Sequence, residues 1–525
     1  MPSRFSKVES TLHIDERCRG LKKAKVSDKK QVLRRMTVTR TELGGADRLY
    51  LRVTIDVLPD NVLLETFEFY LGKDNTRADE FNYNHNYDGW QTLVHVCRRW
   101  RCIMFASPRR LDLKLFCTPQ RSVNSKTLDI WPELPIIIFA WGEQSNEEVN
   151  NTIAALGHHN RVCKIHFYNL QSRDSLLKEF AAIDKPFPAL TSLWLSSEQE
   201  NVPVLPDTFL GGSASRLRSL YLEGIPYPSI GKLLLSTTNL VRLTLSRIPH
   251  SGYIAPETIV PLLSTLARLE SLILEFQDPR SLVHQANRHP PPLTRVAFPN
   301  LTFLQLEGDI EYLEDILSQI ETPILNQSHF GFFNQLVFDA PLLGHFIRRM
   351  ETFMTTHTAR VEFHGLFVKV ELSGQEELAN NNRHTLGLEI RCRMLDWQLS
   401  ALPQILNSFL SSLSTLESLE TEVFRKVTQD DSEIEAIQWR EFLHPFTSVK
   451  KMSLKDEASV RLVTPALREL AGESATEVLP ALQNLSLSTS GWSPSGPLKE
   501  TIEEFIASRR LSGHPVTVHY KDTIY

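Results

Sequence analysis

The chain contains 525 residues, of which 42% are hydrophobic and 23% are charged, and its formal net charge is −5. This composition is that of a globular protein, and the length predicts several structural units or a repeat array. No apolar run is long enough to span a bilayer and the N-terminus has no apolar segment, so we expect no membrane partner and a cytoplasmic or nuclear location, or both. The acidic balance of the body predicts no nucleic-acid partner. The six cysteines lack Cys-x-x-Cys spacing, which predicts reduced core residues and no zinc site.

A basic arm opens the chain. Residues 1–40 hold twelve Lys or Arg against four Asp or Glu. Residues 1–50 offer few apolar side chains to bury, so the arm is predicted to be disordered. Its basic clusters are compatible with a nuclear localisation signal or with a plain solvated tail.

Residues 51–109 are predicted to form a small helical domain with a polar insertion at 72–89. Pro59 suits the first turn of a helix, where its missing N–H costs nothing. Apolar residues then recur at helical spacing in two segments. The first segment has Val62, Leu63, Phe67, Tyr70 and Leu71, and the second has Trp90, Leu93, Val94, Cys97 and Met104. Together they carry more apolar surface than so small a unit can bury alone.

Two short motifs in these segments resemble the F-box. They are Leu58-Pro59-Asp60 with Val62, Leu63 and Phe67, and Val96-Cys97-Arg98-Arg99-Trp100. The F-box is the helical module through which substrate receptors dock on the Skp1 adaptor of cullin-based ubiquitin ligases. The sequences of these motifs are most similar to those of fungal F-box proteins with leucine-rich-like tails. The insertion at 72–89 departs from the usual continuous module. The alternative is an ordinary helical hairpin.

The resemblance implies a partner set and a site. The partners would be a Skp1-type adaptor and a cullin scaffold, together with a protein target. The residues implied to bind the adaptor are Leu58, Pro59, Val62, Leu63, Phe67, Val96, Cys97 and Trp100.

Strand and helix signals follow this domain. Residues 110–116 alternate between polar and apolar side chains, which predicts a strand. Residues 133–141 predict a second strand, apolar enough to be covered on both faces. Ser145 with Glu148 forms a capping-box pattern that predicts a helix through Leu156.

From Val162 onward the phrase apolar-x-x-apolar-x-apolar returns, with helical patterns between its copies. The copies begin at Val162, Leu190, Leu217, Leu240, Leu269, Leu301, Phe333, Val449 and Leu482. The helical patterns cover 172–183, 229–236, 256–266, 311–320, 342–354, 401–413, 463–470 and 499–508. One strand and one helix per period resembles irregular leucine-rich repeats. The predicted fold class is therefore α/β, a small N-terminal helical F-box followed by an irregular right-handed β-α leucine-rich-repeat solenoid over 110–525.

The repeats depart from a strict leucine-rich pattern in two ways. The Asn or Cys that usually ladders along the inner turn is missing, and Ile225 and Ile248 stand there in two units, each followed by Pro. The pattern also breaks at 361–372 and 386–392, where strand-like runs lie close together without an assigned place. Residues 514–520 predict a last strand.

No motif for catalysis is found. Residues 224–232 do not have the spacing of a phosphate-binding loop, and residues 491–495 fail the nucleophile pattern. His158 and His159 are adjacent and have no third ligand nearby, and the paired carboxylates sit in polar runs. We therefore expect a protein that is not an enzyme and has no cofactor. The expected function is substrate recognition in a Skp1–cullin–F-box ubiquitin ligase, and the alternative is a leucine-rich-repeat scaffold not coupled to ubiquitination.

The repeat phrase also predicts a substrate-binding face. Its leucines point into the core, so the residues between them and just after them line the outer strand face. Two groups stand out there: the large apolar residues Trp194, Tyr221, Ile273 and Phe303, and the acidic residues Glu223, Glu275, Glu307 and Asp339. Apolar anchors with a charged rim predict a protein target with a basic segment. The alternative is that a loop or the break in the repeat pattern covers the aromatic residues.

Overall fold

The computed structural model divides into two compact units, residues 1–138 and 139–525. This division lies further along the chain than the predicted boundary between 109 and 110. The structure describes residues 55–71, 89–118, 133–170, 175–199, 202–277, 295–333, 335, 338–350, 353, 356–374, 384–408, 413–425, 436–469, 477–488 and 496–521. The predicted arm at 1–50 and residues 72–88 of the polar insertion lie outside these residues. No helix in the described ranges is long and apolar enough to cross a membrane.

The described part of the first unit contains three α-helices, α1 (Asp60–Leu71), α2 (Gly89–Val96) and α3 (Arg98–Ala106). Cys97 separates the last two and caps α3, because its extended backbone leaves the helix and its Sγ accepts a hydrogen bond from the Trp100 N–H at 3.5 Å. The predicted second segment is therefore two helices. Phe67 is buried, and its ring centroid lies 4.8 Å from that of Trp100.

The strand predicted at 110–116 is wrong over most of its length. Residues 108–112 form turns, Asp112 has a φ of 49°, and the Leu113 N–H bonds back to the Pro108 carbonyl at 2.9 Å. The alternating leucines are buried inside this turn, so their period-two pattern does not reflect a strand. Only β1 (Leu115–Cys117) is extended, and it pairs in parallel with the start of β2 (Ile136–Trp141), whose first five residues are buried as predicted.

Strands and helices alternate through the second unit. Its further strands are β3 (Val162–Tyr168), β4 (Ser192–Ser196), β5 (Ser219–Glu223), β6 (Arg242–Ile248), β7 (Ser271–Phe276), β8 (Val296–Ala297), β9 (Phe303–Gly308), β10 (Ile320–Glu321), β11 (Gln327–Phe333), β12 (Thr356–Phe363), β13 (Val368–Gly374), β14 (Thr385–Arg391), β15 (Ser418–Val423), β16 (Lys451–Leu454), β17 (Asn484–Ser488) and β18 (Thr517–Lys521). Its helices are α4 (Asn146–Leu156), α5 (Ser175–Ala181), α6 (Ile230–Ser236), α7 (Pro256–Ser264), α8 (Ile310–Gln319), α9 (Pro341–Arg349), α10 (Leu395–Asn407), α11 (Ala436–Leu443), α12 (Glu457–Glu469) and α13 (Pro497–Leu511).

One sheet runs through the second unit in the strand order β3-β4-β5-β6-β7-β9-β11-β14-β13-β12-β15-β16-β17-β18, while β8 and β10 form a separate pair. The predicted α/β array of strand-helix units is thus confirmed, and every predicted helical segment overlaps a helix. The predicted capping box is also confirmed: the Ser145 side chain accepts from the Glu148 N–H, and the Glu148 carboxylate accepts from the Ser145 N–H.

Backbone hydrogen bonds link the start of one strand to the start of the next repeat. The backbone carbonyl of the residue just before a strand accepts hydrogen bonds from two N–H groups at the start of the next repeat. The Thr191 carbonyl binds Arg218 and Ser219, at 2.8 and 3.2 Å, and the Arg218 carbonyl binds Val241 and Arg242, at 2.8 and 3.0 Å. The same pairing recurs at the carbonyls of Val241, Glu270, Thr302, Glu417 and Lys450. The repeats are therefore held in register by main-chain atoms, which any sequence supplies.

The repeat predicted to start at Phe333 is wrong. The strand of that unit, β11, ends at Phe333, because the Thr302 carbonyl binds the N–H groups of Asn326 and Gln327 and fixes the strand there. Asp339 is exposed, outside any strand and just before α9. Its predicted place on the strand face is therefore also wrong.

The break in the sequence pattern is an antiparallel insert of β12, β13 and β14. A short turn joins the first two strands, with the His364 N–H bonded to the Phe367 carbonyl at 2.9 Å. Such a turn cannot make a parallel crossover, so β13 runs back along β12. β14 then pairs in parallel with β11, and β12 pairs in parallel with β15. The insert thus interrupts the parallel array without ending the sheet.

Gly224 follows β5 with a φ of +65°, and a Cβ there would collide with the Ser197 carbonyl oxygen. Gly142 is a matched control, with a φ of +62° and nothing within 4 Å of the place that a Cβ would occupy. Gly142→Ala should cost about 1 kcal/mol from left-handed backbone strain alone, and Gly224→Ala about 2 kcal/mol more because the strands must separate. Urea unfolding of both variants measures the difference, and equal midpoints would contradict the close approach.

Candidate functional site

The first unit exposes an apolar surface on its helices. α1 buries Leu63, Leu64 and Phe67 on one side. The other side leaves large apolar side chains in solvent, and the Arg99–Asp60 ion pair at 2.6 Å holds α3 against the start of α1. We call this the helical apolar surface; it consists of Val57, Pro59, Val62, Phe69, Tyr70 and Val96.

The eight residues predicted to bind an adaptor divide into three groups. Pro59, Val62 and Val96 are exposed; Leu58, Cys97 and Trp100 are half-buried; Leu63 and Phe67 are buried. The buried pair can only support a docking surface from below. Whether any of the eight contacts an adaptor stays a prediction.

Sequence reasoning missed Phe69 and Tyr70 as site residues. Phe69 is 88% exposed, more than most large apolar side chains in the described ranges, and Tyr70 is 56% exposed. The available signal was helical spacing, because Phe69 lies seven residues after Val62 and so on the same side of α1.

The outer strand face of the second unit carries rows of side chains set by the register. One row crosses the first seven strands of the sheet. It consists of His166, Trp194, Tyr221, Thr244, Ile273, Gln305 and His329. Phe303 lies two residues before Gln305 on β9, in a neighbouring row on the same face, and it pairs in register with Ser271 and Gln327. Register therefore brings all four predicted apolar residues to the predicted face.

Stacking covers the aromatic part of this face. Trp194 lies between Tyr168, at 5.2 Å between ring centroids, and Tyr221, at 3.4 Å, with all three rings nearly parallel. As a result Trp194 is only 7% exposed, and its predicted exposure is wrong. Tyr221, Ile273 and Phe303 remain half-buried. The neighbouring rings of Tyr168 and Tyr221 therefore cover the tryptophan.

His166 extends the aromatic row but carries no charge at neutral pH. Its Nε2 lies 3.1 Å from the Ser192 Oγ, and its ring lies 5.1 Å from that of Phe139. Burial lowers the pKa of His166 to about 4, and the positive charge of Lys164 adds to this shift. The aromatic row is thus a neutral, packed platform.

The predicted acidic stripe is present with one change of residue. Glu275 pairs in register with Glu307, and Glu307 with Gly331 of the next strand. Beyond that glycine the row continues at Glu389 of β14, in place of the predicted Asp339. A Cβ on Gly331 would lie 2.6 Å from the Glu307 Cγ, so glycine lets the Glu307 side chain lie across β11.

Neutral donors bind part of this carboxylate row. Glu223 accepts from the Tyr221 hydroxyl at 3.1 Å, with Arg247 Nη1 at 3.8 Å from its other oxygen. Glu275 accepts from the Ser246 hydroxyl and from the Gln305 amide, neither of which carries charge. These carboxylates keep a negative potential at the face.

Glu307 is the most buried member of the row, 5% exposed and ion-paired with Arg391. Burial raises the pKa of Glu307 to about 7, against the lowering effect of Arg391, and the negative charges of Glu275 and Glu389 raise it further. His329 Nε2 lies 3.6 Å from the Glu389 carboxylate. A partner's cation brought to this row would favour the ionised form of Glu307.

Beyond Glu389, the charged side chains on the strand face form ion pairs with one another. Arg360 bridges Glu362 at 2.8 Å and Glu422 at 2.7 Å, and Lys455 binds Glu420 at 3.0 Å. No group of three His, Cys, Asp or Glu side chains in the described ranges could hold a metal ion. The arrangement suits contact with a protein surface.

No protein-family model matches this chain, and no curated protein matches it either. Among solved structures it is similar to the leucine-rich repeat-containing protein LegL7 from Legionella pneumophila, with 14% sequence identity. The match covers 64% of this chain and 96% of that chain, with a TM-score of 0.29. The repeat array of this chain is defined by its own strand pairing.

Replacing Glu307 by Gln tests the burial of this carboxylate. Its folded-state pKa of about 7 lies above the ordinary 4.5, so the folded chain binds more protons than the unfolded chain between these values. This group's contribution to stability therefore falls as the pH rises from about 5 to about 8, by on the order of 2–3 kcal/mol. Urea unfolding across this range should show that fall in the wild type and not in Glu307→Gln.

The exposed Glu257 supplies the control. Glu257→Gln should keep the pH dependence of the wild type. Parallel stability curves for the wild type and Glu307→Gln would contradict the raised pKa.

Proposed function

We propose that this chain is a substrate-recognition subunit of a Skp1–cullin–F-box ubiquitin ligase. In this proposal the helical apolar surface docks on a Skp1-type adaptor bound to a cullin scaffold, and the strand face holds a protein target. The chain positions the target, performs no covalent chemistry and binds no cofactor. It acts in the cytoplasm, the nucleus or both. The observation that carries the proposal is that apolar residues of both F-box-like motifs stay exposed on a packed helical core.

The support for adaptor docking is energetic. Val62, Phe69, Tyr70 and Val96 are 37–88% exposed on short helices. Full burial of such a side chain contributes about 1.5–3 kcal/mol, so a hydrophobic partner groove would gain from each of them. The Arg99–Asp60 pair and the Arg99 bond to the Leu58 carbonyl, at 2.6 Å, fix the two motifs side by side before binding. Such preorganisation lowers the entropic cost of docking.

The support for target binding is the chemistry of the strand face. Half-buried Tyr221, Ile273 and Phe303 offer apolar contact area next to the carboxylates of Glu223, Glu275 and Glu307. This pairing suits a target segment with apolar and basic side chains. Holding the target on the same chain as the adaptor raises its effective concentration at the transferring machinery.

The second candidate is an interaction scaffold that uses the strand face without ubiquitination. The strand face favours both candidates equally, because either would bind a protein there. Only adaptor binding separates them.

Adaptor docking is tested with the double variant Val62→Arg/Val96→Arg. Both side chains are exposed, so charge at these places should leave the helical core intact and weaken binding to a purified Skp1-type adaptor by about tenfold or more. Titration calorimetry on the full chain measures the loss. Trp100→Ala is a poorer test, because Trp100 packs on Phe67 and its removal also perturbs the fold.

Arg109→Glu is the matched control, an exposed residue outside the helical apolar surface. It should bind the adaptor as the wild type does. No measurable adaptor binding by the wild type would favour the scaffold, and equal binding by the double variant would show that another surface docks.

Target binding is tested with Ile273→Arg, which places a cation in the aromatic and acidic part of the strand face. Proteins enriched with the wild type by affinity purification under proteasome inhibition should be lost, because the new cation repels a basic segment. Leu235→Arg, at a 58% exposed site on α6, is the control and should retain them. Retention of the same proteins by Ile273→Arg would exclude this face as the target site.

A further inference from the structure

The antiparallel insert brings three chain segments together at one end of its strands. They are the turn 364–367 after β12, residues 392–398 after β14, and residues 424–425 after β15. Gln398 joins the first two, because its side-chain amide donates to the carbonyls of His364 at 3.0 Å and Cys392 at 2.6 Å. Arg425 joins the third, because its Nη1 donates to the Arg393 carbonyl at 3.1 Å.

These segments expose four large apolar side chains. Leu366 is 61% exposed, Met394 is 56%, Trp397 is 46% and Phe424 is 51%. We call them the insert patch. Tryptophan is enriched among binding hot spots, and methionine adapts its shape to varied partners.

The insert patch is held in place by stacking. His364 lies between the rings of Phe367 and Phe424, at 4.3 and 4.9 Å between centroids and nearly parallel to both. Gln398 is fully buried, so the hydrogen bonds that join the segments are shielded from water. A partner would therefore meet a preorganised surface.

Two arginines lie beside the insert patch. Arg393 is exposed just after β14, and its carbonyl accepts a hydrogen bond from Nη1 of the half-buried Arg425. The Glu362 carboxylate is engaged by Arg360 at 2.8 Å and by His364 at 3.3 Å. Arg360 also binds the Glu422 carboxylate, at 2.7 Å, and Asp396 is half-buried in the first turn of α10.

We propose that the insert patch is a second docking site, one that binds an acidic peptide segment carrying apolar side chains. Apolar side chains of the peptide would cover Met394, Trp397 and Phe424, and its carboxylates would meet Arg393 and Arg425. This charge preference is opposite to that of the carboxylate row on the strand face. The two sites therefore select different partners, and the insert patch does not depend on the proposed ligase function.

The test is selection of displayed random peptides on the purified full chain without adaptor. Bound peptides are then sorted by loss of binding to the variant Met394→Ser/Phe424→Ser. Peptides that depend on the insert patch should be rich in Asp or Glu and in Leu, Phe or Trp. A fluorescein-labelled copy of the most enriched peptide should bind the variant at least about tenfold more weakly than the wild type.

Two further variants test the charge preference of the insert patch and the specificity of the effect. Arg393→Glu should also weaken the labelled peptide by about tenfold, and Leu511→Ser, which removes an 89% exposed leucine elsewhere, should not change its binding. Circular dichroism and thermal unfolding of each variant separate lost binding from lost structure. The proposal is overturned if no patch-dependent peptide is enriched, if the enriched peptides are basic, or if Arg393→Glu binds as tightly as the wild type.

Discussion

The pairing register of the strands is the constraint on which the second unit depends. Because side chains alternate between the two faces of a strand, a slip of one residue would bring the leucine rows to solvent and the polar rows into the core. The carbonyls that each accept two N–H groups at the strand starts, such as Thr191 and Arg218, prevent that slip. They use main-chain atoms alone, so the array tolerates repeats of unequal length. The same register lines up every row of the outer face.

Alignment of like residues has opposite consequences for aromatic and acidic side chains. Rings at neighbouring places stack, so Tyr168, Trp194 and Tyr221 bury one another and lose exposure. Burial raises the pKa of Glu307, and repulsion from the neighbouring carboxylates of Glu275 and Glu389 raises it further. The face therefore gains rigidity from its aromatic part and a negative potential from its acidic part. A binding surface needs both, since a rigid surface loses little entropy on docking and a charged one selects its partner.

Much of the fold was predictable from local sequence, because helices and caps depend on neighbours along the chain. The capping box of Ser145 and Glu148 and the helices between repeats are of this kind. The errors arose where long-range pairing decides. Asp339, for example, follows an apolar phrase that is not the paired strand. Leu111 and Leu113 are a separate case, because they alternate like a strand but fill a local turn. The insert of β12 to β14 could not be placed because its position in the sheet depends on pairing with β11 and β15.

The candidate sites divide in the same way. The sequence placed Val62, Leu63 and Phe67 of α1 in one apolar set, and the structure separates exposed Val62 from the buried pair. Helical spacing from Val62 would also have found Phe69. By contrast, the exposure of Trp194 depends on stacking with Tyr168 and Tyr221, which lie on neighbouring strands. The insert patch depends on three segments that the sequence separates, joined through Gln398, His364 and Arg425. A surface that lies on one helix can thus be found from helical spacing in the sequence. A surface formed where the repeat pattern breaks cannot, because it is assembled by contacts between distant segments of the chain.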